Sequence, residues 1–205
     1  MSRRVRTCVL VSGCAWQAVA GTVYWNFDTE PPASNGVANV AAGPVSRGNG
    51  GTAALLTDTS VSGGYSGVSG GSNAVAAAGG GLLVVSASAY FQFTLTPDAG
   101  AVLRLSALSF GIRSTSTGPQ AFCVRSSLDC YGSDVASGTV MPDGNWALKS
   151  VSPLFQSSVP GEPVAFRIYG YNGTDKKAGN WRIDDLALSA AAVPQLPKRC
   201  VIFVK

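Results

Sequence analysis

Apolar and polar positions alternate in short runs along this chain, and helical periodicity is nearly absent. In AYFQFTLT, residues 89–96, Phe91, Phe93 and Leu95 fall on one face. Comparable β-prone runs recur at 22–27 (TVYWNF), 102–113 (VLRLSALSFGIR), 120–127 (QAFCVRSS), 146–151 (WALKSV), 163–171 (PVAFRIYGY) and 180–188 (NWRIDDLAL), bounded by Gly, Pro, Asn and Ser. Many short strands separated by turn residues, with no helix between them, predict an all-β fold: an antiparallel β-sandwich of jelly-roll type. In the 102–113 run, Leu103, Leu105 and Phe110 do not share one face, which predicts a bulge or a strand buried on both sides. Residues 43–81 are rich in Gly, Ser and Ala, yet Leu55, Leu56, Tyr65 and Val75 recur among them. That mixture predicts long loops around one or two strands within a single domain.

Length and charge narrow the class. A chain of 205 residues is long enough for one domain with a sizeable core. Charged residues make up only 13%, which suits an extracellular β-rich protein. The formal charge of +4 comes from the ends: three of the 15 basic residues precede residue 21 and three follow Pro194, leaving 9 against 11 acidic residues. A body this close to neutral has no basic stripe to follow phosphates, so nucleic acid is not an expected partner.

The opening MSRRVRTCVLVSGCAWQAVA has an Arg-rich head, an apolar stretch and small residues at Ala18 and Ala20. It reads as a secretion signal at 1–20, cleaved after Ala20, with an apolar run too short to span a bilayer. Two alternatives stand beside it: a lipobox at Val11-Ser12-Gly13-Cys14, which would lipidate Cys14, and a plain folded N-terminus. Cleavage would leave a sandwich domain at 21–190, an irregular tail at 191–205, and no transmembrane helix. It would also leave Cys123, Cys130 and Cys200. In an oxidising compartment Cys123 and Cys130 are candidates for a local disulfide, two free thiols being the alternative; Cys200 has no evident partner.

The absence of histidine removes the usual imidazole base of Ser-His-Asp and Cys-His hydrolases. Gly67-Val68-Ser69-Gly70-Gly71 matches G-x-S-x-G, but it stands in a Gly/Ser tract without a strand-to-helix context. Paired carboxylates remain as a route to glycan hydrolysis. Asp184 and Asp185 are adjacent, and strand alternation would send them to opposite faces, so they do not read as an acid/base pair. Alternation puts Asp184 on the side of Leu186 and Leu188, the expected core side, and leaves Asp185 in solvent. A carboxylate facing inward requires compensation. Three partners are open: an arginine (Arg113, Arg125 or Arg167), backbone N–H groups, or Ca²⁺ shared with Asp28 if the first and last strands are neighbours.

Aromatic residues supply the other candidate surface. Trp146, Tyr169 and Tyr171 are candidates for stacking on sugar rings, against the alternative that they are core and corner residues.

Taken together, W-x-F-D (Trp25, Phe27, Asp28), SGGYSGVSGGSNA, GP…VRSSLD (118–129), FRIYGYNG and the ending W-R-I-D-D (181–185) resemble a secreted bacterial β-sandwich domain of PEP-CTERM-type surface proteins. The resemblance covers roughly residues 22–190. More distantly, the early F-D and late I-D-D are similar to MAM-like and carbohydrate-binding jelly rolls. Acidic residues at those strand ends often hold structural calcium there, which implicates Asp28 and Asp184 and, more weakly, Asp185. The ending VPQLPKRCVIFVK departs from the PEP-CTERM pattern, lacking its Glu-Pro and apolar span. The expectation is a non-enzymatic module of a bacterial cell surface or its surroundings, binding polysaccharide or a surface protein and stabilised by Ca²⁺. A purely structural matrix protein is the second reading, and a carboxylate-dependent glycan hydrolase the third.

Overall fold

The computed structural model describes residues 19–51, 54–77, 80–154, 156–175 and 179–195. The expected signal segment up to residue 18, with Cys8 and Cys14, lies outside the described residues, as do Cys200 and the tail beyond Gln195.

The alternating runs form β1 (Gly21–Trp25), β2 (Ser34–Asn35), β3 (Val40–Ala42), β4 (Ser46–Gly48), β5 (Leu56–Thr57), β6 (Asn73–Ala77), β7 (Tyr90–Pro97), β8 (Ala101–Ser114), β9 (Ala121–Ser126), β10 (Ala136–Thr139), β11 (Ala147–Val151), β12 (Gln156–Ser157), β13 (Val164–Tyr171) and β14 (Asn180–Pro194). A 3-10 turn, Ser127–Asp129, follows β9. The fold is all-β, with two antiparallel sheets. Sheet A runs β11-β8-β14-β1-β2, with β12 also on β8, β6 also on β14 and β5 on β6; sheet B runs β10-β9-β13-β7-β3, with β4 also on β7. The last strand continues to Pro194, so the boundary expected at residue 190 moves there.

Alternation dictates the core. Phe91, Phe93 and Leu95 of β7 face sheet A and are fully buried, as the 89–96 pattern predicts. On β8 the phase changes: Leu103 and Leu105 are buried, then Leu108, Phe110 and Ile112. The register slips there, with Ser189 opposite Ala107 but Ala190 opposite Leu105, so Ser106 is the extra residue of the expected bulge. Three ring pairs join the sheets across the core: Trp25 with Phe93 at 5.5 Å, Phe91 with Trp181 at 4.6 Å, and Phe110 with Phe122 edge-on at 5.4 Å. Such pairs each add about 0.5–1.5 kcal/mol beyond the area they bury. Gly170 on β13 lacks a side chain for a visible reason: a Cβ there would stand 2.7 Å from the Trp181 ring and 2.9 Å from Pro119.

β1 and β14 are neighbours, with Trp25 opposite Leu186 and Gly21 opposite Ala190. The first and last strands thus bring Asp28, just past the end of β1, to the same end of sheet A as Asp184 and Asp185.

Candidate functional site

A second register shift, between Asp184 and Ala187, decides where the two carboxylates go. Asp184 pairs with Gly111 and Ala187 with Ser109, so Asp185 and Leu186 together face the single residue Phe110. Asp185 takes a left-handed backbone (φ +50), a conformation Asp tolerates better than most residues. Gly111 lies between the core residues Phe110 and Ile112 and must point away from the core; Asp184, opposite it, points the same way. The expectation that Asp184 shares the core face of Leu186 and Leu188 is therefore corrected. The bulge reverses the phase between them.

Both carboxylates are nevertheless covered, Asp184 at 0% and Asp185 at 5% exposure. The cover is the segment 58–72. Tyr65 lies where a Cβ of Gly111 would stand, and its hydroxyl donates to Asp185 Oδ2 at 2.6 Å. The Tyr24 hydroxyl donates to Asp185 Oδ1, and the Ser69 amide reaches both carboxylate oxygens at 3.2 Å. Asp185 is thus an anchor for this segment, where exposure to solvent was expected. The same segment is held at its flanks: Ser72 N donates to Asp28 Oδ1 at 3.0 Å, and Arg182 Nη1 donates to Thr59 O at 3.1 Å and Asn73 Oδ1 at 2.9 Å. Trp146 Nε1 donates to Ser60 O at 3.1 Å, and its ring sits 6.4 Å from that of Tyr65.

Asp184 is less well provided for. Its Oδ1 accepts the Asp185 amide at 2.8 Å, whereas Oδ2 is buried without a hydrogen-bond partner. None of the expected arginines pairs with it. Arg113 Nε donates to Gly144 O, Arg125 is ion-paired with Asp134 at 2.6 Å, and Arg167 lies on sheet B. Burial pushes the Asp184 carboxyl up to about 7, and the negative charges of Asp185 and Asp28 act in the same direction. The Ser62 hydroxyl, buried and itself without a partner, and the Asp185 amide work the other way. Burial and the Asp185 carboxylate likewise raise the Tyr24 phenol to about 12 and push Tyr65 up further. Both stay protonated and donate.

A carboxylic acid near neutrality beside a second carboxylate is the usual arrangement of acid/base catalysis. Here both groups are sealed beneath residues 58–72, and their bonds tie that segment to β14. Among the described residues, no three carboxylates or thiols converge closely enough to form a metal cage by themselves.

The candidate sugar-stacking residues do not form one surface. Trp146 belongs to the segment before β11 on sheet A, whereas Tyr169 and Tyr171 lie on β13 of sheet B. Tyr169 is fully buried and offers no face, which corrects its expected role. Tyr171 is half-buried. Around them the outer face of sheet B is organised by register: Gln92, Arg167 and Arg125 form one row, and Tyr90, Tyr169 and Cys123 the next. The Arg167 guanidinium is stacked between two rings, 4.2 Å from the centroid of Tyr90 and 3.9 Å from that of Tyr131. Its Nε donates to Gln92 Oε1 at 2.8 Å and its Nη1 to the Tyr169 hydroxyl at 3.3 Å. Tyr131 reaches this position through two successive left-handed residues, Cys130 (φ +57) and Tyr131 (φ +62), with its carbonyl held by Arg125 Nη1 at 3.0 Å. The left-handed region is unfavourable for a bulky residue and persists where surrounding contacts impose it.

The expected Cys123–Cys130 disulfide is not formed: both thiols are free, Cys123 buried on β9 and Cys130 exposed at the end of the 3-10 turn. Burial, helped by the charge of Asp134, pushes the Cys123 thiol up to about 12.

No family model matches this chain, and no curated protein does. Among solved structures it is similar to the K1 cleaved adhesin domain of Lys-gingipain from Porphyromonas gingivalis W83, at 16% identity and a TM-score of 0.43, over 82% of this chain and 97% of that one. The K3 adhesin domain of the same protein matches at 13% identity and a TM-score of 0.41, over 83% and 99%. A family 11 carbohydrate-binding module from Clostridium thermocellum, in complex with a mixed-linked tetrasaccharide, matches at 16% and 0.36, over 84% and 96%. Likeness at this level transfers no residue role. The sites described above rest on their own geometry.

Sequence reasoning missed Arg167 as a site residue and the cover over Asp184. Both depend on partners far along the chain; only the alternation of Arg167, Tyr169 and Tyr171 was a signal for the first.

Proposed function

We propose that this domain is a non-catalytic, extracellular or cell-surface binding module that takes a glycan on the outer face of sheet B. The observation that carries this reading is the cluster of Tyr90, Tyr131 and Arg167, with Tyr171 four residues further along β13 on the same face. It combines aromatic surface with hydrogen-bonding groups already fixed in place by Gln92 and Tyr169. Pre-set polar groups among aromatic side chains are the general make-up of a ligand site. Trp146 is not part of this face. A glycan array probed with the full chain tests the proposal. Binding that weakens about tenfold or more in Tyr171→Ala, at unchanged melting temperature, supports it. Absence of binding to any glycan would leave a surface-protein partner or a structural role.

Ca²⁺ stabilisation belongs to the same reading. Asp184 Oδ2, buried and unpartnered, and Asp28, whose charge acts on Asp184, are hard oxygen donors at the junction of β1 and β14. Ca²⁺ takes six to eight oxygen ligands, so backbone carbonyls and water would complete the shell. When bound, the ion would supply the positive charge that no arginine provides to Asp184.

A further inference from the structure

Resting on the glycan-binding reading, we infer that the ligand of this face is an acidic polysaccharide carrying hexuronate carboxylates, and that Arg167 is the residue that reads them. Among the described residues, Arg167 is the cation of this face without a carboxylate partner: Arg125, its neighbour on β9, is neutralised by Asp134. A half-buried arginine stacked on two tyrosine rings has lost part of its hydration. Its outward edge therefore gains most from a charged acceptor.

The donor count agrees. Nε is committed to Gln92 and one hydrogen of Nη1 to Tyr169, whereas Nη2 makes no hydrogen bond to the described residues. The Nη1/Nη2 edge keeps donors free in a fixed plane, and that fork matches a carboxylate held by two parallel bonds. Stacking fixes the plane before any ligand arrives, so little side-chain freedom is lost on binding. Tyr131 is held over Arg167 by a strained backbone, and the Arg125–Asp134 pair flanks the segment that carries it. The local structure is thus organised around keeping one unpaired guanidinium flat.

Reach selects a polymer. Tyr171 lies four residues along β13 from Arg167 on the same face, a span of about 13 Å in an extended strand. A half-buried ring at that distance offers a second contact to a ligand several sugars long, with one uronate at Arg167 and a pyranose against Tyr171.

The test compares polygalacturonate with its carboxyl-reduced galactan by isothermal titration calorimetry of the full chain. Expected is at least tenfold tighter binding of the acidic polymer, an affinity that falls as salt is raised, and loss of the preference in Arg167→Gln. Arg167→Lys keeps the charge but not the fork and is expected to retain only part of the preference. Equal affinity for both polymers, with no salt dependence, would overturn the assignment of Arg167 while leaving the glycan reading intact. Failure to bind either would overturn the uronate assignment, and the glycan array then decides separately whether the glycan reading falls with it. Because the comparison of polymers and the salt series use the unmodified protein, they decide the matter even if Arg167→Gln fails to fold.

Discussion

The Tyr65 hydroxyl donates to Asp185 Oδ2 at 2.6 Å, a bond between residues 120 positions apart that joins a Gly/Ser-rich segment to the last strand. Hydrogen bonds to charged groups contribute about 1.5–3 kcal/mol when partly buried. Tyr65→Phe should therefore lower stability by roughly that amount, read as the midpoint of denaturant unfolding. It should also speed proteolytic cleavage within 58–72, because one of the bonds holding that segment is gone. Unchanged cleavage would mean that the bonds at Thr59, Ser60, Ser69 and Ser72 suffice to retain it.

Asp184 gives a pH prediction with a definite sign. Its carboxyl is raised in the folded protein from 3.8 to about 7, so the folded state favours the protonated form. The stability this contributes is fully present below about pH 4, the unfolded value, and is lost as pH rises through about 7. The upper bound of the loss well above that pH is roughly 4 kcal/mol. In EDTA, Asp184→Asn should raise the melting temperature at pH 8 and change it little at pH 4. The amide keeps an acceptor for the Asp185 N–H and carries no charge.

Calcium should act on the same residue in the opposite sense. If Asp28 and Asp184 hold Ca²⁺, adding millimolar CaCl2 after EDTA raises the melting temperature of the unmodified protein at pH 7–8. Asp184→Asn and Asp28→Asn should each abolish that rise. A melting temperature indifferent to Ca²⁺ would remove the ion from the account.

Gly170→Ala should be costly. Its Cβ would enter space held by Trp181 and Pro119, at 2.7 and 2.9 Å, in the middle of the core. Overpacking of this kind destabilises by about 1–3 kcal/mol, measurable by thermal or denaturant unfolding.

The two thiols should differ in reactivity. In the native protein a maleimide should label the peptide bearing Cys130, which is exposed. Cys123, buried and with its thiol raised to about 12, should react only after unfolding. Peptide mapping by mass spectrometry distinguishes them.

Much of the architecture was legible because period-two alternation records which face of a strand is covered. The 89–96 pattern gave the core face of β7 correctly, and the phase conflict between Leu105 and Phe110 marked the bulge at Ser106. At Asp184 and Asp185 the alternation was followed through a break in phase: Trp181 and Ile183 fall on one face of NWRIDDLAL and Leu186 and Leu188 on the other, yet all four are in the core. The adjacent aspartates mark a bulge whose extra residue is on β14, where Asp185 and Leu186 oppose Phe110 alone. Gly111 was a second signal: a glycine between Phe110 and Ile112 leaves room for Tyr65. The aromatic candidates were read one residue at a time, so the burial of Tyr169 beneath Tyr90 and Arg167 went unseen.

The central place of β14 in sheet A has a consequence for the order of assembly. Both β1 and β6 pair with Asn180–Pro194, and their other neighbours, β2 and β5, are two-residue strands. A nascent chain that has not yet made its last strand therefore has no means of ordering its first, and the Gly/Ser-rich segment has no Asp185 to dock on. Sheet A closes only after residues 180–194 have been made, through contacts between its first and last strands, which are slow to form. Until then β1 and β6 lack the strand they share, and that part of the chain stays in a form that can still be threaded, carried or cut.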